Sequence, residues 1–349
     1  MAVPTLGLNV AQDIINAALD FYIKGPTLAQ TKQQRPLLAL MEANKKTFPG
    51  GKQYISTPVQ GNYMSDAPNF AMGFTQDDQL QFSQASNIQR AKVPYYLRHA
   101  GLIITIQELI EDGISVSDRG ETSQHSEADV TRLTGILENR LEDFGESWAR
   151  SMNLVLWKDG SADAKDLAGM TSILTDSAAV GVTEGLDRGT YPWWRHRVNL
   201  AVQASPQNQT LTKFFRNEVI QLKRFGGVPS KILCGSRAWD GIMQEVSEKG
   251  YYTQTGFAKG TDVGIGQDDL SIKGIGKFEY DPTMDDLGFA SRFYVLDTKH
   301  LKLRPIDGED EKLWKPERPY NYLVLLRSMT WMGGLIFDQL NGNGVYQLA

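Results

Sequence analysis

From Ser126 to Trp157 the chain carries one long amphipathic run, and no second run of comparable length exists to pair with it. Ser126, Glu127 and Asp129 supply an N-cap and an acidic first turn, both of which favour helix initiation. Val130, Leu133, Leu137, Leu141, Phe144, Trp148, Met152 and Val155 then recur at steps of three or four residues. Asp129, Arg132, Glu138, Arg140, Glu142, Glu146 and Arg150 fill the remaining positions, with Gly only at Gly135 and Gly145. Read as one helix over 127–157, the run spans ~46 Å, about three times the mean helix length. Helices this long usually pair in bundles. Without a partner, this one is expected to lie across a sheet.

Around it the chain alternates between strand and helix. Val10, Ile14, Ala17, Ala18 and Phe21 suggest a short N-terminal helix ended by Gly25-Pro26, and Pro36 opens a second over Leu37–Lys46. Tyr54–Val59 and Ala91–Leu97 read as strands. The polar, aromatic stretch between them is far longer than an ordinary hairpin loop of about 2–5 residues. Beyond residue 190, Arg197–Gln203 reads as a strand and Asn208–Phe225 as a helix with the stripe Leu211, Phe214, Phe215, Val219 and Leu222. A short buried strand, Lys231–Cys234, is followed by a helix over Ser236–Lys249, which makes an α/β unit. Phe293, Val295, Leu301, Leu303, then Tyr322, Val324, Leu326 and Met329 alternate with period two, as antiparallel strands do. These features define an α+β chain.

Composition narrows the function. Of 349 residues, 41% are hydrophobic and 10% aromatic, too much apolar surface for a disordered chain. Thirty-six Lys+Arg against 41 Asp+Glu give a net charge of −5, which argues against a dedicated nucleic-acid binder. A single cysteine, Cys234, allows neither a disulfide framework nor a multi-cysteine zinc site. Met1–Ala11 lacks the basic residues of a secretory signal, and the apolar stretches at 100–106 and 322–337 are too short or too interrupted to span a bilayer.

No constellation of catalytic residues emerges. The carboxylate neighbours Asp77-Asp78, Asp268-Asp269 and Asp285-Asp286 cannot converge on one substrate, because adjacent side chains point apart on a strand or helix. Such pairs are expected in turns and caps. His99, His125, His196 and His300 lie far apart, without partners at metal-ligand spacing. Gly260, Gly264 and Gly266 precede Gln267-Asp268-Asp269, whose charge would repel a phosphate. Lys299, His300, Lys302 and Arg304 suit a solvated strand face. No cofactor and no metal are expected.

Two features do point outward. Tyr191-Pro192-Trp193-Trp194-Arg195, read as extended chain, sends its adjacent tryptophans to opposite sides, so one core cannot hold both. Trp and Arg are also the residues enriched at interface hot spots. The 61–90 connection carries Tyr63, Phe70, Phe74 and Phe82 among amides, without the periodicity of a core element. Tyr63, Phe70, Phe74, Phe82, Trp193, Trp194 and Arg195 are therefore candidate subunit-interface residues.

The order of elements resembles that of the major capsid proteins of tailed bacteriophages with the Hong Kong 97-type fold. The similarity lies in the strings Gly185-Leu186-Asp187-Arg188-Gly189-Thr190-Tyr191-Pro192-Trp193-Trp194-Arg195, Tyr280-Asp281-Pro282-Thr283 and Asp297-Thr298-Lys299-His300-Leu301-Lys302-Leu303-Arg304-Pro305. Arg318-Pro319-Tyr320, Met329-Thr330-Trp331 and Gln339-Leu340-Asn341 extend it to the end of the chain. The resemblance implies an N-arm and first helix over 1–49 and an extended hairpin loop over 50–106. It implies a peripheral domain over 107–207 with a spine helix at 127–157, an axial domain over 208–296, and returning strands over 297–349. It further implies a non-enzymatic shell subunit of the virion, made in the host bacterial cytoplasm and assembled as hexamers and pentamers of itself around double-stranded DNA. A separate scaffolding protein, a portal and decoration proteins would be its partners, and no membrane. The alternatives are an encapsulin-like shell around enzyme cargo, or a soluble α+β enzyme.

Overall fold

The computed structural model describes residues 5–7, 35–63, 65, 67, 71–80, 82, 88–105, 107, 115–117, 144–224, 226–248, 269–272, 274–314 and 324–349. The expected helix at 10–21, the spine positions 127–143, His125, Asp268 and the glycine-rich stretch 256–268 lie outside the described residues. The chain forms two compact units, each built from three separate stretches. One comprises Met1–Ala39, Tyr96–Leu154 and Pro305–Gly333, and the other Leu40–Tyr95, Val155–Arg304 and Gly334–Ala349.

In the first unit the described part of the spine is helical from residue 144. Phe144, Trp148 and Met152 are buried, as the stripe requires, while Arg150 on the opposite side is exposed. The indole of Trp148 donates to Glu311 at 3.2 Å, and Asn153 accepts from the Leu38 amide at 3.1 Å. Glu146 pairs with Arg35 and Arg150. The sheet is dominated by one pairing. Tyr96–Thr105 runs antiparallel to the first ten residues of the long strand Val324–Phe337, from Gly333 opposite Tyr96 to Val324 opposite Thr105. Lys312–Leu313 pairs with Thr330 and Met329 of the same strand.

The second unit centres on a six-stranded mixed sheet, in the order Asp269–Ile272, Gly276–Tyr280, Lys231–Cys234, Arg292–Leu296, Gly344–Leu348, Arg197–Val202. Lys231–Cys234 and Gly276–Tyr280 run parallel, and Arg292–Leu296 is antiparallel to both its neighbours. Two helices, Thr210–Lys223 and Ser236–Glu248, pack on this sheet through Leu211, Phe215, Val219, Leu222, Ala238, Ile242 and Val246. Phe215 is the hub. Its ring meets Phe278, Phe293 and Tyr346 edge-on, with centroids 4.9 to 5.9 Å apart. Burying a side chain of this kind stabilises the fold by about 1.5–3 kcal/mol, before the ring contacts are counted. Cys234 is fully buried at the end of its strand. Burial raises its thiol pKa far above the ordinary range, so it acts as a small apolar core residue.

The extended loop is rooted in this second unit by an antiparallel hairpin. Tyr54–Gln60 pairs with Ile88–Pro94, Ile55 opposite Val93 and Val59 opposite Gln89. The run expected over Ala91–Leu97 divides at Tyr95, because Pro94 has no amide hydrogen with which to continue the ladder. Ile55, Val59, Ala91 and Val93 form the buried face. They settle against the long strand at Gly334, where an added Cβ would come within 2.9 Å of Ile55 and 3.2 Å of Val93.

Candidate functional site

At the arm root, the sequence Tyr191-Pro192-Trp193-Trp194 departs from the extended reading. Pro192 opens a 3₁₀ turn, closed by the Trp194 amide donating to the Tyr191 carbonyl at 2.9 Å. The two indoles therefore meet edge-to-face, 5.9 Å apart, instead of pointing to opposite sides. Trp194 is buried in its own subunit and donates to the Thr183 carbonyl at 3.2 Å. Trp193 is half-buried. It leans on Tyr191, at 5.4 Å, and covers Gly61 so closely that any side chain at residue 61 would enter its ring. Arg195 is held by backbone carbonyls, Nε donating to Arg188 at 2.6 Å and Nη2 to Gly189 at 3.2 Å.

A second turn clamps the same region. Glu184 and Gly185 both have positive φ, +53° and +78°, between the two-residue strands Val182–Thr183 and Leu186–Asp187. The pair is the tight turn of a two-residue hairpin. The Glu184 carbonyl accepts from the Lys92 amide of the arm at 2.7 Å, and its Oε1 accepts from the Phe337 amide at 2.7 Å. Burial raises the Glu184 carboxyl well above its ordinary pKa, and nearby Asp338 adds to the effect.

His196 follows the tryptophans and is also buried. Its Nε2 donates to the Thr175 carbonyl at 2.7 Å, while Nδ1 has no partner among the described residues. Burial lowers its pKa to about 4, with Arg188 pushing the same way against the Thr175 bond and Asp176. The site is built to hold a neutral imidazole.

Between the arm root and the tryptophan turn opens a cleft of about 1170 Å³. Its walls come from 57–63, 192–197, the end of the helix Thr210–Lys223, and 338–341. Arg197, Arg224, Gln221 and Asn341 line it, a grouping no sequence spacing could reveal. Beyond the cleft, large apolar side chains among the described arm residues stand exposed. Tyr63, Met72, Phe74, Leu80, Phe82 and Ile88 are all exposed, Phe82 by 94%. Phe70 lies outside the described residues. The structure therefore places Tyr63, Trp193, Trp194 and Arg195 together at the cleft, and Phe74 and Phe82 exposed beyond it.

The carboxylate neighbours serve local structure. Asp78 accepts from the Thr75 amide at 2.8 Å, and Asp285 accepts from the Ser236 amide at 2.9 Å and the Tyr280 hydroxyl at 2.6 Å. Among the described residues, no group of three or more His, Cys, Asp or Glu side chains could hold a metal ion.

No protein-family model matches this chain, and no curated protein is detectably similar to it in sequence. Solved structures are similar in fold. The capsid asymmetric unit of cyanophage A-1(L) superposes with a TM-score of 0.58 at 15% identity, covering 89% of this chain and 92% of that one. The capsid of the native GTA particle gives 0.53 at 10% identity, covering 89% and 90%. The capsid of Myoviridae phage XM1 gives 0.53 at 7% identity, covering 88% and 90%. The fold is the Hong Kong 97-type capsid fold.

Proposed function

We propose that this protein is the major capsid protein of a tailed phage, assembling through hexamers and pentamers of itself into the icosahedral head around double-stranded DNA. The observation that carries this reading is the arm. Among the described residues from Tyr63 to Ile88, six large apolar side chains stand exposed on a subunit whose fold is that of capsid proteins. Large apolar side chains left exposed in this number mark an interaction site. A lattice of copies supplies the cover that the subunit lacks. The role is structural, and a net charge of −5 suits a wall that must not bind the DNA it encloses. A separate scaffolding protein, a portal and decoration proteins complete the expected partners in the virion.

The test is paired. Deleting Met64–Gln84 and closing the gap with a short Gly/Ser link should leave the circular dichroism of the body unchanged. The same deletion should abolish the shells seen by sedimentation and negative-stain microscopy. Normal particles from the deleted protein would refute the reading of the arm as an assembly contact.

A further inference from the structure

We propose that the arm tip of one copy seats in the Trp193 cleft of a neighbouring copy, as an acidic, apolar plug in a basic, aromatic socket. The inference rests on the shell reading above and adds the address at which the arm docks.

Charge points to it first. Between Lys52 and Arg90 the chain contains Asp66, Asp77 and Asp78 but no Lys or Arg. At the described tip, Asp77 and Asp78 stand between Phe74 and Leu80, and every residue from 71 to 80 is exposed. The cleft has the opposite character. Arg195, Arg197 and Arg224 line it; Arg197 is paired with Glu218, and the one lining carboxylate, Asp338, is paired with Lys302. Arg195 is fixed before any partner arrives, because its Nε and Nη2 are bonded to carbonyls, and it makes no ion pair among the described residues. A preorganised guanidinium loses little freedom when it meets a carboxylate.

Shape agrees with charge. The Trp193 ring gives the cleft an aromatic wall, and amide side chains such as Gln60 and Gln221 stand beside it. Apolar and aromatic lining with a few fixed polar groups is the usual make-up of a recognition pocket. The copy's own tip does not fill the cleft, since residues 71–80 and 82 are exposed in their own subunit. Plug and socket are also different patches of one surface. Such head-to-tail contacts close into rings when the rotation permits, and a capsomer is a ring.

Disulfide trapping between copies tests the address. One variant carries Gln79→Cys in the tip and the other Gln221→Cys in the cleft; native Cys234 is buried and stays silent. Co-expressed and mildly oxidised, the two should give a disulfide-linked dimer that neither variant gives alone. Asp77→Arg with Asp78→Arg should remove that dimer, and adding Arg195→Glu with Arg224→Glu on the cleft copy should restore it. Particles that form normally without the dimer would overturn the docking site and leave the shell reading intact. A third variant carrying both cysteines that links only within its own chain would also overturn it. Soluble monomers without particles would remove the shell reading, and this proposal with it.

Discussion

Glu245 caps a helix to which it does not belong: its Oε2 accepts from both the amide and the hydroxyl of Thr212, at 2.9 Å each. Its Oε1 accepts from the Leu211 amide at 2.8 Å. The helix Thr210–Lys223 begins at Gln209, a left-handed residue with no side-chain cap of its own. Its first amides would otherwise be buried without acceptors, and the carboxylate also meets the positive end of the helix dipole. Glu245→Ala should therefore cost the unassembled subunit about 1–3 kcal/mol, read from its urea midpoint. Glu245→Gln, which keeps one acceptor, should cost less. Equal losses from the two variants would show that the carboxylate acts by packing alone.

Trp148 tests the spine in the same way. It is buried mid-stripe and bonded to Glu311, so Trp148→Ala leaves a large cavity and removes that bond. The expected loss is about 3–5 kcal/mol, with a matching fall in Tm. An unchanged Tm would mean that the helix is not packed on that face.

His196 gives the fold an acid limit. Its folded pKa, about 4, lies below the ordinary 6.5, so the unfolded chain takes up the proton first. Stability from this site is complete above pH 6.5, declines as the pH falls toward 4, and is lost below it. The full loss is on the order of 3 kcal/mol at 1.36 kcal/mol per pKa unit. His196→Gln keeps a donor for the Thr175 carbonyl but cannot titrate. Its urea midpoints should be flatter than the parent's across that window, and identical slopes would place the acid limit elsewhere.

Cys234 reports on the integrity of the central sheet. Buried and held as a thiol, it should react with a maleimide only as fast as the subunit unfolds. Rapid labelling of the native protein would mean that the Lys231–Cys234 strand opens locally.

Elements with strong local periodicity were legible before any coordinates. The helix and strand around Lys231–Cys234 fall at the expected residues, and Leu211, Phe215, Val219 and Leu222 face the core as spaced. What escaped was non-local. Glu245 and Thr212 are 33 residues apart, and nothing in the sequence of either announces the bond. The cleft joins four segments that share no motif. The tryptophan pair was misread because Pro192 favours a tight turn as readily as extended chain, and the buried Thr183 carbonyl decides between them. The aromatic character of the arm, and its lack of core periodicity, could be read directly.

The Glu184 turn also has a mechanical meaning. Its carbonyl holds the arm strand at Lys92 and its carboxyl holds the long strand at Phe337, so one residue rivets two elements together. A tug on the arm is not dissipated at a floppy hinge. It passes through two short hydrogen bonds to the last residue of a 14-residue strand. Load on the arm strand is therefore passed on by directional hydrogen bonds, one to the backbone and one to the side chain of a single residue.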